Sequence, residues 1–171
     1  MALKGHGERA IANGIAARSA GGGVFYFQSR ELRSGEPHFF IVVNRDPIAT
    51  KLLLLTIVTS KVDKVRIRNR ERPHTVVEIS PKEYDEFKVL SAVDCNVVLE
   101  KSLSELAGLV RRKEVRYHKD LSPETFGKTK AAPSVVSKLL VHAARYGVLL
   151  SCTIWSRRKP SMSVLTCIQT A

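Results

Sequence analysis

Apolar residues come in short, dense runs along the middle of the chain. Val24-Phe25-Tyr26-Phe27, Phe39 to Val43 and Leu52 to Val58 are each rich in aromatic, β-branched or aliphatic side chains, and each is bounded by Gly, Pro, Asn or Asp. That pattern predicts strands. Unbroken runs of this length suit strands buried on both faces, or strands tightly curved in a small barrel. Val65-Arg66-Ile67-Arg68 alternates strictly and predicts a half-exposed strand that shows its arginines to solvent. Thr75 to Ile79 and Cys95 to Leu99 read as two more strands, and Glu114 to His118 as a last one.

Helix starts are marked by capping chemistry. Ser80-Pro81-Lys82-Glu83 has a cap, a first-turn proline and a capping-box glutamate, which predicts a short helix. Ser102-Leu103-Ser104-Glu105 is a second capping box. It opens a helix with Leu103, Leu106, Leu109 and Val110 on one face and Arg111-Arg112-Lys113 at its end. Ser122-Pro123-Glu124 announces a further helix, continuing in pieces toward Tyr146. Together these elements predict a mainly β fold with short helices, an α+β arrangement built on a small, strongly curved β-barrel. Three segments follow: a leader over 1–23 that ends in the flexible Gly21-Gly22-Gly23 joint, a barrel domain over 24–118, and a basic, partly helical extension over 119–171.

A chain of 171 residues suffices for one domain with a substantial core. No apolar run approaches the length needed to span a bilayer. The segment 1–23 lacks the apolar stretch of a secretory signal. Three cysteines with no ligand spacing argue against a disulfide scaffold and against structural zinc, and suit a reducing cytoplasm. The net charge of +12 is uneven: +2 over 1–23, +3 over 24–124 and +7 over 125–171, where acidic residues are absent. The tail, with its β-prone stretches at 148–155 and 163–168, has two readings: a basic segment for nucleic acid or an anionic surface, or a poorly ordered appendage. Phosphate-loop, dinucleotide and hydrolase-elbow motifs are missing, so those enzyme classes have no support.

Four segments carry a family resemblance: GEPHFFIVVN at 35–44, LLLLTIVTSK at 52–61, TVVEISPKEYDEF at 75–87 and LSAVDCNVVLEKSLSEL at 90–106. In order and character they resemble the MazF/PemK (Kid) toxins of toxin–antitoxin systems over roughly residues 24–112. The resemblance implies an SH3-like barrel, a homodimer, a cognate antitoxin and no cofactor. It implies cleavage of single-stranded RNA without metal, through attack of the ribose 2′-hydroxyl on the adjacent phosphate. It places Thr59 at the family's catalytic Thr or Ser, with Asp94 and Asn96 near the family's Asp-Gln pair. The family's catalytic arginine has no counterpart, since Pro37 stands at its place. Arg33 and His38 are the nearest substitutes.

The chemistry of these side chains fits that expectation. Histidine titrates near neutrality, so His38 suits proton transfer. Arg33 offers a planar cationic fork, and Thr59, with Ser60 as an alternative, a hydroxyl for a phosphate oxygen. Lys61, Lys64, Arg66, Arg68 and Arg70 make the densest basic patch of the middle region, and on a strand the three arginines would form a rail for an RNA backbone. Tyr26, Phe39 and Tyr84 are candidate stacking surfaces for bases. Against each stands a plainer role: a strand-capping histidine, a solvated loop arginine, a charged edge strand. The competing reading is a non-catalytic SH3-like module that binds RNA or protein and has lost the family arginine. A small basic ribosome- or nucleoid-associated protein is a third.

Overall fold

The computed structural model describes residues 14–15, 21–44 and 46–146, and among the described residues from 21 onward six strands and five α-helices follow one another. In chain order they are β1 (Val24–Phe27), β2 (His38–Val42), α1 (Pro47–Thr50), β3 (Leu52–Thr59), α2 (Val62–Arg68), a 3₁₀ turn (Pro73–Thr75), β4 (Val76–Ile79), β5 (Ser91–Ser102), α3 (Leu103–Arg111), β6 (Val115–His118), α4 (Pro123–Lys130) and α5 (Pro133–Tyr146). The strands form one antiparallel sheet in the order β4–β5–β3–β2–β1–β6, so the fold is α+β. The outer strands β4 and β6 are not paired with each other, and the sheet is open. No helix among the described residues is long and apolar enough to cross a membrane.

The dense apolar runs are explained by burial on both sides of the sheet. Val24, Ile41, Leu54, Val58 and Val93 point to one face, where Tyr84, Phe87, Leu121, Ala132 and Val135 cover them. Phe25, Phe27, Phe40, Val42, Leu53 and Leu55 point to the other, beneath Leu103, Leu106 and Ala107 of α3. A smaller cluster sets Val62 and Val65 of α2 on Ala92. The core does not stop at residue 118, since Leu121, Ala132 and Val135 belong to it. The β-prone stretches at 148–155 and 163–168 lie outside the described residues.

β5 is longer than its sequence suggests because it contains a bulge. Thr56 faces Val98 while Ile57 faces Asp94, so Cys95, Asn96 and Val97 have no partners in β3. Extra residues on one strand bend the sheet locally. Near its start, β5 is shared between β3 and β4 over Ala92 to Asp94.

Three sequence expectations are corrected. Val65–Arg68 is helical, not a strand. Val62 and Val65, one helical turn apart, are both buried, whereas Ile67 is 70% exposed. Four alternating residues fit either period, and packing on Ala92 selects the helix. The predicted helix after Ser80 is a single turn. Only half of its capping box forms: Glu83 Oε2 accepts from Ser80 N and Oγ at 2.9 Å, while Glu83 N donates to the Ser80 carbonyl at 3.0 Å. Tyr84 and Phe87 are then drawn into the core before β5 begins. The Gly21–Gly23 joint is an ordered seam: Gly22 N donates to Val42 O and Val42 N to Gly23 O, both at 2.9 Å, and Leu121 N donates to Gly22 O. Gly21 and Gly22 have φ of +72° and +93°, and a Cβ on Gly21 would come within 3.1 Å of the Phe126 ring. Only glycine accepts both conditions without strain.

The capping box of α3 forms as the sequence predicts: Ser102 Oγ accepts from Glu105 N at 3.1 Å and Glu105 Oε2 accepts from Ser102 N at 2.9 Å. Ser102→Ala is expected to lower unfolding free energy by about 1 kcal/mol in urea titrations. An unchanged midpoint would show that packing alone holds this helix.

Candidate functional site

The register brings His38 and Thr59 to one end of the sheet. Phe27 pairs with His38, Phe39 with Val58, and Thr59 with Ala92. His38 therefore opens β2 beside the last residue of β3. By the alternation of strand side chains they share the face that carries Phe40 and Ile57.

His38 closes the loop between β1 and β2 and is partly buried. Its Nε2 is hydrogen-bonded to the Ser34 hydroxyl. Burial, the largest influence, lowers its pKa below the usual histidine value; Glu36 pushes it up and Lys61 pushes it down. Burial thus favours the neutral imidazole, the state a proton acceptor needs. Thr59 Oγ1 accepts from Lys61 N at 3.2 Å, closing the turn from β3 into α2. Its own proton stays available for a second partner. Arg33 lies exposed on the same loop as His38.

Past Lys61 an open groove of about 610 Å³ runs along α2, lined by Ser60, Lys61, Lys64 and Arg66 and by the exposed Val89 and Leu90. The basic residues divide into two sets. Lys61, Lys64 and Arg70 are exposed, with no ion pair among the described residues. Arg66 donates to both Glu78 oxygens at 2.6 and 2.8 Å and to Asp63 at 3.2 Å. Arg68 donates to Asp94. The expected one-sided arginine rail is absent, because residues two apart on a helix point to nearly opposite sides.

Asp94 and Asn96 sit elsewhere. Asp94 is fully buried and accepts from Arg68, from Asn96 N at 3.1 Å and from Asn69 Nδ2 at 3.4 Å. Asn96 Nδ2 donates to Asn69 Oδ1 at 2.7 Å and to Thr75 Oγ1 at 2.6 Å. The network fastens the β5 bulge to the end of α2 and to the 3₁₀ turn. It satisfies buried polar groups and holds α2 in place beside the groove. Asn69 and Thr75 carry no sequence signal that would have singled them out.

Of the aromatic candidates, Tyr84 is buried and donates to Lys119 O at 2.6 Å, so it offers no stacking surface. Tyr26 and Phe39 pack on each other at 4.7 Å. Cys95 is a core residue, its thiol pushed up to about 12 by burial and then by Asp94. A cluster not singled out in the sequence joins His118 Nδ1 to Glu86 Oε2 at 3.1 Å, with the Phe39 ring 5.1 Å away. No group of three metal-ligating side chains lies together among the described residues. Compared with known proteins, the chain matches no family model and no curated sequence.

Proposed function

We propose that the chain is a toxin-like endoribonuclease that cleaves single-stranded RNA by 2′-hydroxyl attack, with the bent sheet as an open relative of the SH3-like barrel. The supporting observation is the meeting of His38 with Thr59 at one end of the sheet, beside Lys61 and the groove. His38 takes the proton of the 2′-hydroxyl. Thr59 and Arg33 stabilise the charge that grows on the phosphate, where fixed donors have most effect. Lys61 and Lys64 hold the RNA backbone and take no part in the chemistry. The P–O2′ bond forms, the P–O5′ bond breaks, and the leaving oxygen takes a proton from water. The MazF/PemK resemblance extends the proposal to metal-independent action in the cytoplasm, as a homodimer restrained by an antitoxin.

The test is an RNA with one 2′-deoxy substitution at the cut, incubated with the protein beside its all-ribose counterpart. Only the all-ribose strand is expected to be cut. Equal cutting of both overturns the mechanism. If neither is cut at high protein concentration, the non-catalytic RNA-binding module is the better reading, favoured by Pro37 at the place of the family arginine.

A further inference from the structure

We infer that Ser34 is the hydroxyl through which His38 takes up its proton, an assignment that rests on the ribonuclease reading and adds a residue to it. Ser34 lies four positions before His38 on the β1–β2 loop, and its Oγ is hydrogen-bonded to His38 Nε2. Either group can donate in such a pair, but the imine nitrogen of a neutral imidazole is far more basic than a hydroxyl oxygen. The favoured arrangement has the Ser34 O–H donating to Nε2, with the imidazole's own proton on Nδ1. The one basic atom of neutral His38 is then covered by Ser34. A proton reaches it through the serine or after the serine has left.

The charged groups felt by His38 are Glu36, on its own loop, and Lys61, at the entry to α2. Among the described residues it is Ser34, and not Thr59, that is hydrogen-bonded to His38. Ser34 is exposed, so its oxygen is open to a ribose. As the 2′-oxygen bonds to phosphorus, its proton passes to Ser34 Oγ while the serine's proton passes to Nε2. Ser34 ends unchanged and His38 becomes imidazolium. The departing O5′ takes a proton from water, and the hydroxide left behind removes the proton from His38.

Two readouts on the full-length protein test this. The first is the His38 tautomer by nitrogen NMR above its titration. The wild type is expected to carry its proton on Nδ1, Ser34→Ala to shift it toward Nε2, and Ser34→Thr to restore the wild-type signal. The second is kinetic: Ser34→Ala should lower kcat for RNA cleavage by about 100-fold with little change in KM, and Ser34→Thr should recover most of it. A wild-type proton on Nε2, or a tautomer unaffected by Ser34→Ala, overturns the assignment. So does an active protein whose Ser34→Ala variant cuts as fast. A wild type that cuts no RNA overturns the ribonuclease reading and the relay together, which separates that failure from failure of the relay alone.

Discussion

Replacing His38 by Ala or Gln is expected to lower kcat for RNA cleavage by about 10²- to 10⁴-fold, the usual loss when a general base is removed. The side chain is only partly buried at the end of the sheet, so circular dichroism should show the fold intact. The pH profile carries a sign that distinguishes a base from a phosphate-binding cation. A base acts when neutral, so the rate should rise with pH through the His38 pKa and then level off. Burial and Lys61 both lower that pKa, so the acidic limb is expected below the ordinary histidine value of about 6.5. Lys61→Gln removes one lowering charge and should move the limb to higher pH. A rate that falls as pH rises through this range would mean that the imidazolium is the active form, and the assignment of His38 as the base would be wrong.

Phe40→Ala should cost about 3–5 kcal/mol of unfolding free energy, the range for a large aromatic truncated in a packed core. Phe40 is wholly buried in β2 and stacks on Phe27 with ring centroids 4.3 Å apart. It lies beneath the face that α3 covers, in the same cluster as Leu55 and Leu106. Natural domains have only about 5–15 kcal/mol of net stability, so the alanine variant should be largely unfolded in mild urea. Phe40→Leu leaves a smaller void and should keep the transition measurable if the alanine variant does not fold. A loss under about 1 kcal/mol for Phe40→Ala would mean that the two-sided core is misassigned.

Much of the secondary structure was legible because its causes are local. The apolar runs at Val24 to Phe27 and Leu52 to Val58 needed burial on both faces, and the sheet provides it. The capping box at Ser102 and the serine cap at Ser122 marked helix starts because each cap is satisfied within its own first turn. Where the local signal admitted two answers, distant contacts decided. Val65–Arg68 alternates over too few residues to separate a strand from a helix, and the choice was made by Ala92, well along the chain in β5.

The candidate site divides along the same line. His38 and Thr59 stood out as residue types at strand ends, but their nearness is a property of the β2–β3 register. The separation of the basic residues into the unpaired Lys61, Lys64 and Arg70 and the engaged Arg66 and Arg68 was not legible at all. Arg66 finds Glu78 and Arg68 finds Asp94 across 12 and 26 positions of chain. An ion pair depends on distance in space, and sequence order does not specify it until the sheet and α2 have packed. What the sequence by itself determined was therefore the apolar strands, the capped helix starts at Ser102 and Ser122 and the inventory of reactive side chains. Which of those side chains meet, and which cations stay free to face a ligand, was decided only by the long-range pairing that buries the apolar runs.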